Sequence, residues 1–199
     1  MRLVTGRSSK NSTTKTSIRL TSGGRFFSAS TLSGVADSGD ITITVDTTRC
    51  TLIPSEMVGT LSTEQILSIN GLAPHSDEVV VVSDAVEGKV AIIAIAKSAF
   101  DALSALSGVT LHFTSPLLST THSTERAMAI EICDEICYIR LYNDGLKVAE
   151  ALTISSTDEL LYYVANILDI TECNDIPIYI IGSKDAAKKV KKYYKVICE

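Results

Sequence analysis

The chain has no tryptophan, and aromatic residues make up only 6% of its 199 positions. It also lacks any run of about 18 uncharged apolar residues, the length a membrane-spanning helix needs, although 45% of its residues are hydrophobic. The longest apolar stretch, Val90–Ala96, has the length of a buried strand. Met1 to Arg7 carries charge but no apolar segment, so no secretory signal is visible. Cysteine is sparse and odd in number: Cys50, Cys133, Cys137, Cys173 and Cys198 do not make a disulfide framework, and reduced thiols in a cytoplasm are the expectation. Positive charge is in deficit. The net charge of −5 argues against wholesale binding to nucleic acid or to an anionic membrane.

What is present is a strand-rich α/β pattern. Residues 1–16 are Ser/Thr-rich with Arg2, Arg7, Lys10 and Lys15, and read as a flexible basic tail. Ile18–Leu20 and Phe26–Ala29 flank Ser22-Gly23-Gly24-Arg25, a glycine pair suited to a tight hairpin. Ile41, Ile43 and Val45 alternate with threonines, the period of a half-buried strand. Ser62-Thr63-Glu64-Gln65 is a capping box that opens a helix ending near Asn70-Gly71. Val79–Val82, Lys89–Ala96 and Val109–Phe113 read as strands, with a helix over Ser98–Leu106 between the last two.

The second half repeats the theme. Ala127–Cys133, Ile136–Tyr142 and Leu146–Thr153 are successive strands, turning near Asp134-Glu135 and at Asn143-Asp144-Gly145. Ser156-Thr157-Asp158-Glu159 is a second capping box, followed by Leu160, Leu161, Val164, Ile167 and Leu168 on the buried side of a helix. Ile176–Ile181 is an apolar strand, Lys184–Tyr194 a basic helix and Lys195–Cys198 a last short strand. Each half thus reads as three meandering strands, a capped helix, then further strands and helices. The expected organisation is a first domain over 17–115, a linker over 116–126 and a second domain over 127–199.

A β-β-β-α-β-α-β unit occurring twice resembles the ribonuclease H-like halves of the actin, sugar-kinase and chaperone ATPase superfamily. More narrowly, Ser17 to Ser28, Thr157 to Tyr163 and Ile178-Tyr179-Ile180-Ile181-Gly182-Ser183 resemble an uncharacterised bacterial domain family with an actin-like ATPase fold. The resemblance implies two ribonuclease H-like domains with mixed sheets and a cleft between them. It also implies three nucleotide-gripping elements: an Asp-x-Gly hairpin in each domain and a glycine loop for the adenosine. Here Thr21 stands in the acid's place beside Gly23 and Gly24, Asp134 and Glu135 supply acids with no glycine, and the adenosine loop shrinks to Gly182-Ser183. Phosphoryl transfer depends on positioning and charge stabilisation by such parts, so the expectation is a degenerate ATPase with no catalytic residue and no resident cofactor. ATP with Mg²⁺ on Gly23, Gly24, Asp134, Gly182 and Ser183 is the alternative.

Other constellations are weaker. Glu131, Asp134 and Asp158 could imitate a nuclease's acidic cluster, but their spacing does not single out metal ligation. Cys133 and Cys137 find no second pair for a structural zinc. His75, His112 and His122 have no helical pairing, and no nucleophile elbow is present. Lys184, Lys188, Lys189, Lys191, Lys192 and Lys195 hold six of the 18 basic residues. They form a candidate interaction surface for an acidic partner or RNA, with nucleic acid the lesser expectation. The partner expected is another protein, or a second copy in a homodimer.

Overall fold

The structure, a computed structural model, describes residues 16–21, 39–123 and 126–198. The basic-tail reading of residues 1–15 and the Ser22–Arg25 hairpin with Phe26–Ala29 lie outside these. Period-two alternation builds the first sheet. In β1 (Thr16–Leu20) and β2 (Asp40–Val45), Ile18, Leu20, Ile41, Ile43 and Val45 are all buried while the residues between them face out. β1 runs parallel to β2, which runs parallel to β6 (Thr110–Thr114). Ile41–Val45 is therefore not the third strand of a meander. Residue period shows a strand's faces and says nothing of its neighbour.

Between β2 and β6 the chain makes a second, antiparallel sheet in the order β3-β5-β4, from β3 (Cys50–Pro54), β4 (Glu78–Val82) and β5 (Lys89–Ala96). Every residue of β5 after Lys89 is buried, because both its faces are covered. Ala91, Ile93 and Ile95 join a core with the first sheet. Val90, Ile92 and Ala94 face helix α1 (Thr63–Ile69), which contributes Ile66 and Leu67. The Ser62 capping box is complete: its hydroxyl accepts from the Gln65 amide and the Gln65 side chain accepts from the Ser62 amide. Helix α2 (Lys97–Ser104) returns the chain to β6, burying Ala99 and Leu103.

The third sheet has the order β11-β10-β7-β8-β9, from β7 (Ala127–Cys133), β8 (Ile136–Tyr142), β9 (Leu146–Thr153), β10 (Ile178–Ile181) and β11 (Val196–Cys198). β7, β8 and β9 form an antiparallel meander, while β10 is parallel to both β7 and β11. Helices α3 (Thr157–Ile170) and α4 (Lys184–Val190) cover one face, packing Leu160, Val164, Leu168, Ala186, Ala187 and Val190 on Ile130, Ile139 and Ile178. The other face joins the first core, with Tyr138 fully buried among Ile18, Leu20 and Ile43. The expected linker 116–126 begins inside the core: Pro116, Leu117 and Leu118 form a buried 3-10 turn. Arg140 and Tyr142 both donate to the Ser119 carbonyl that follows it.

Two expectations shift in detail. The second capping box is half-formed, since Ser156 accepts from the Glu159 amide but the Glu159 carboxylate turns to the amide and hydroxyl of Ser155. The basic helix stops at Val190 instead of Tyr194, closing through tighter three-residue bonds from the Lys192 amide to the Lys189 carbonyl and from the Tyr193 amide to the Val190 carbonyl.

Candidate functional site

An open cleft of about 550 Å³ lies where the two parts of the chain face each other. One wall is Asp46 to Arg49, the segment that leaves the C-terminal end of β2. The other is the β7–β8 hairpin, Cys133 to Ile136, with Thr153 of β9 beside it. This is the place where α/β sheets usually hold ligands, beyond the carboxyl ends of parallel strands.

The walls are joined by Arg19. Its neighbours Ile18 and Leu20 point into the core, so alternation turns Arg19 outward, towards the cleft. Its guanidinium grips Asp46 with two bonds, Nε to Oδ2 at 2.6 Å and Nη2 to Oδ1 at 2.9 Å. The same Nη2 reaches across to Glu131 Oε1 on β7 at 3.0 Å and to Cys133 Sγ at 2.7 Å. Asp46 is only 2% exposed, and its own amide donates to the Leu20 carbonyl. The bond from Asp46 raises the already high pKa of Arg19, so the cation is permanent.

A second arginine is committed as well. Arg49 donates through Nε and Nη2 to both carboxylate oxygens of Glu78, at 2.7 and 2.9 Å, and to the Ala73 carbonyl at 2.6 Å. Between these pairs the phenol of Tyr138 accepts a 2.8 Å bond from the Thr47 amide, tying the cleft wall to the third sheet. Burial pushes the Cys133 thiol up to about 12, outweighing the nearby Arg19 charge, so it stays protonated and is a poor nucleophile at neutral pH.

The residues singled out from the sequence fall in different places. Gly23 and Gly24 lie outside the described residues. Asp134 and Glu135 are exposed at the hairpin tip lining the cleft, with Asp134 in the left-handed region at φ 54°. Gly182 does not line the cleft. It sits at φ +93°, and a Cβ there would stand 2.0 Å from the Ile132 carbonyl oxygen. Ser183 caps α4 by accepting from the Ala186 amide. Lys184, Lys188, Lys191, Lys192 and Lys195 are exposed, whereas Lys189 is paired with Asp158 of α3 at 2.6 Å. Glu131 and Asp134 are both at the β7–β8 end, with Glu131 bonded to Arg19, while Asp158 is tied to Lys189. His112 contacts Asp84 and Asp40 away from the cleft. Among the described residues, no three His, Cys, Asp or Glu side chains are grouped to hold a metal ion. Sequence patterning does not single out Arg19, Asp46 or Arg49. Arg19 shows only as a charged residue alternating with buried aliphatics in β1, a pattern that names no partner, and Asp46 and Arg49 lie in the segment between β2 and β3 with no periodicity to mark them.

No protein-family model matches the chain, and no curated protein matches it in sequence. Solved structures do. The chain superposes on a Bacteroides thetaiotaomicron protein described as having an actin-like ATPase fold and unknown function, with TM-score 0.77 and 18% identity over 93% of this chain and 90% of that one. It also superposes on the cytoplasmic domain of EpsL, an inner membrane component of the type II secretion system of Vibrio cholerae. There the TM-score is 0.50 and the identity 12%, over 93% of this chain and 88% of that one. The chain therefore has a mixed α/β, actin-like ATPase fold.

Proposed function

We propose that this chain is a non-catalytic bearer of the actin-like fold, built from two ribonuclease H-like units over 17–115 and 127–199, and that it works through contacts with other proteins. The carrying observation is the charge state of the cleft. Both of its arginines are already neutralised, Arg19 by Asp46 and Glu131 and Arg49 by Glu78. The acids Asp134 and Glu135 remain open to solvent. A polyphosphate entering here meets net negative charge and no uncommitted cation among the described residues lining the cleft. Sites that transfer phosphoryl groups stabilise that charge with positioned cations and amides.

The unit reading is supported by strand order. β7, β10 and β11 are three adjacent parallel strands with β8 and β9 on the far side of β7, and β1, β2 and β6 are likewise adjacent and parallel. The degenerate-loop reading is supported by Thr21 in the first element, the glycine-free Asp134 hairpin in the second, and Gly182, which is occupied in packing against Ile132. A cytoplasmic setting accords with free thiols at Cys50, Cys133, Cys137 and Cys173. No helix among the described residues is long and apolar enough to cross a membrane.

One observation favours a second reading, residual nucleotide binding: the cleft itself, with the Asp134 carboxylate on its wall where a hydrated Mg²⁺ would need a ligand. Thermal unfolding with and without millimolar Mg-ATP separates the two. A ligand at ~100 times its Kd adds about 2.7 kcal/mol, or roughly 5–11 °C for a chain of this size. The expected result is no shift. A shift of several degrees, abolished by Asp134→Asn, would establish nucleotide binding and send the next experiment to hydrolysis.

A further inference from the structure

The third sheet ends, among the described residues, at β9, which has a strand on one side only. Its residues divide by alternation. Ala149 and Ala151 turn into the first core, while Val148, Glu150 and Leu152 turn under α3. Between those three and Tyr163, Ile167 and Ile170 of α3 lies a groove of about 310 Å³. The helix residues recur at i, i+4 and i+7, a single stripe left over after Leu160, Val164 and Leu168 have filled the core. Ile170 is 72% exposed. In the middle of this apolar surface stands the Glu150 carboxylate, solvent-exposed on the outer side, with no hydrogen bond or ion pair to any described residue. The groove's far end is negative as well, because the last turn of α3 carries no basic residue and Asp169 and Glu172 are exposed beside it.

We propose that β9 and α3 form a docking groove for an extended segment of another protein, a strand that adds to the free edge of β9 and sets an arginine or lysine, flanked at alternate positions by apolar residues, against Glu150. A free strand edge offers unpaired backbone donors and acceptors in register for one more strand. Cross-strand neighbours on one face lie about 5 Å apart, so a basic residue opposite Glu150 places its two same-face neighbours over Val148 and Leu152. Desolvation already lifts the Glu150 carboxyl above its usual range, and an arriving cation would relieve that cost.

A second copy of the chain fits the groove poorly. In an antiparallel β9 pair related by a two-fold axis, residues facing the groove meet only their own kind, so Glu150 would oppose Val148, Leu152 or another Glu150. Lys147, the only cation on the strand, sits in the irregularity that ends regular pairing with β8, between Leu146 and Val148. The groove therefore asks for a partner with the opposite charge.

The test is fluorescence anisotropy with a labelled, end-capped peptide carrying Val, Arg and Ile at alternate positions and Thr between them. The wild-type chain should bind it, Glu150→Lys should bind it at least about tenfold more weakly, and a peptide with Glu in place of Arg should recover binding to Glu150→Lys. N-methylation of alternate peptide amides should abolish binding, since strand addition needs those donors. Ile170→Asp, at an exposed position that leaves folding intact, should weaken binding independently. No binding by the wild-type chain, equal affinity for Glu150→Lys, or indifference to N-methylation overturns the proposal. So does a wild-type dimer, seen by light scattering, that Glu150→Lys dissociates. None of these readouts involves the cleft, so a positive Mg-ATP shift would leave the groove standing, and its failure would leave the cleft reading untouched.

Discussion

Arg19 illustrates how one side chain can decide what a cleft is able to hold. Asp46 is buried, and among the described residues its charge is compensated through the paired bonds from Arg19. Arg19→Met should therefore destabilise the chain by about 2 kcal/mol, less than a fully buried pair because the guanidinium is 43% exposed. The melting temperature should fall by roughly 4–8 °C. Adding Asp46→Asn should recover part of the loss, and a double-variant Tm no higher than that of Arg19→Met would show that the pair does not act as one. The Arg49–Glu78 pair has a pH signature. Burial alone would raise the Glu78 carboxyl, but bonds from Arg49 and the His75 amide bring it below its ordinary value of 4.5. Its stabilisation is present above that value and is lost as pH falls through the lower, folded one. Melting curves from neutral pH down to about 3 should show a decline that is shallower in Glu78→Gln, which starts from a lower Tm at neutral pH. Parallel declines in the two proteins would remove Glu78 from the account. None of these partners could be read from sequence, because Arg19 and Glu131 are 112 residues apart and charge alone does not choose between distant mates.

At the scale of elements, the sequence was legible wherever local chemistry decides. Alternation located β2, an unbroken apolar run located the buried β5, a turn signal at Asn143-Asp144-Gly145 separated β8 from β9, and hydroxyl caps located α1 and α3. It was silent on β3, where Cys50 and Ile53 are the buried positions and regular alternation is lost. Pairing partners were equally hidden, so β1 and β2 turned out parallel neighbours where a meander was expected. Gly182 shows the same boundary. Its residue type marked a special backbone, yet a phosphate loop and a packing contact both use glycine, and only the 2.0 Å approach to Ile132 tells them apart. Gly182→Ala should cost about 3 kcal/mol or more, from left-handed backbone strain plus displacement of the β7 backbone. Chemical denaturation measures it, and a loss under about 1 kcal/mol would mean that β7 yields easily. The substitution disturbs the hairpin bearing Asp134 as well, so it cannot serve as a probe of nucleotide binding.

At the scale of the molecule, two parts of the chain share one apolar core. Tyr138 belongs to the third sheet by sequence but is buried among residues of the first, and its hydroxyl holds the Thr47 amide. Tyr138→Phe would leave that amide unpaired in a buried place and cost about 1–3 kcal/mol. If the loss were confined to one of two resolved melting steps, the parts would be thermally separable. A single step that moves as a whole is the expected outcome in calorimetry.

The double-sided third sheet carries a further consequence for how such a chain is made. A ribosome finishes residues 16–118 first, and that piece waits with Ile18, Leu20 and Ile43 lacking the Tyr138 lid that seals them. The later piece, 127–198, would alone expose the face of its sheet that carries Tyr138, Ile136, Ala149 and Ala151. Truncation should therefore be costly: a premature stop before β10 is expected to leave material for the cell's proteases and not a smaller working protein, which pulse-chase of the truncated chain measures.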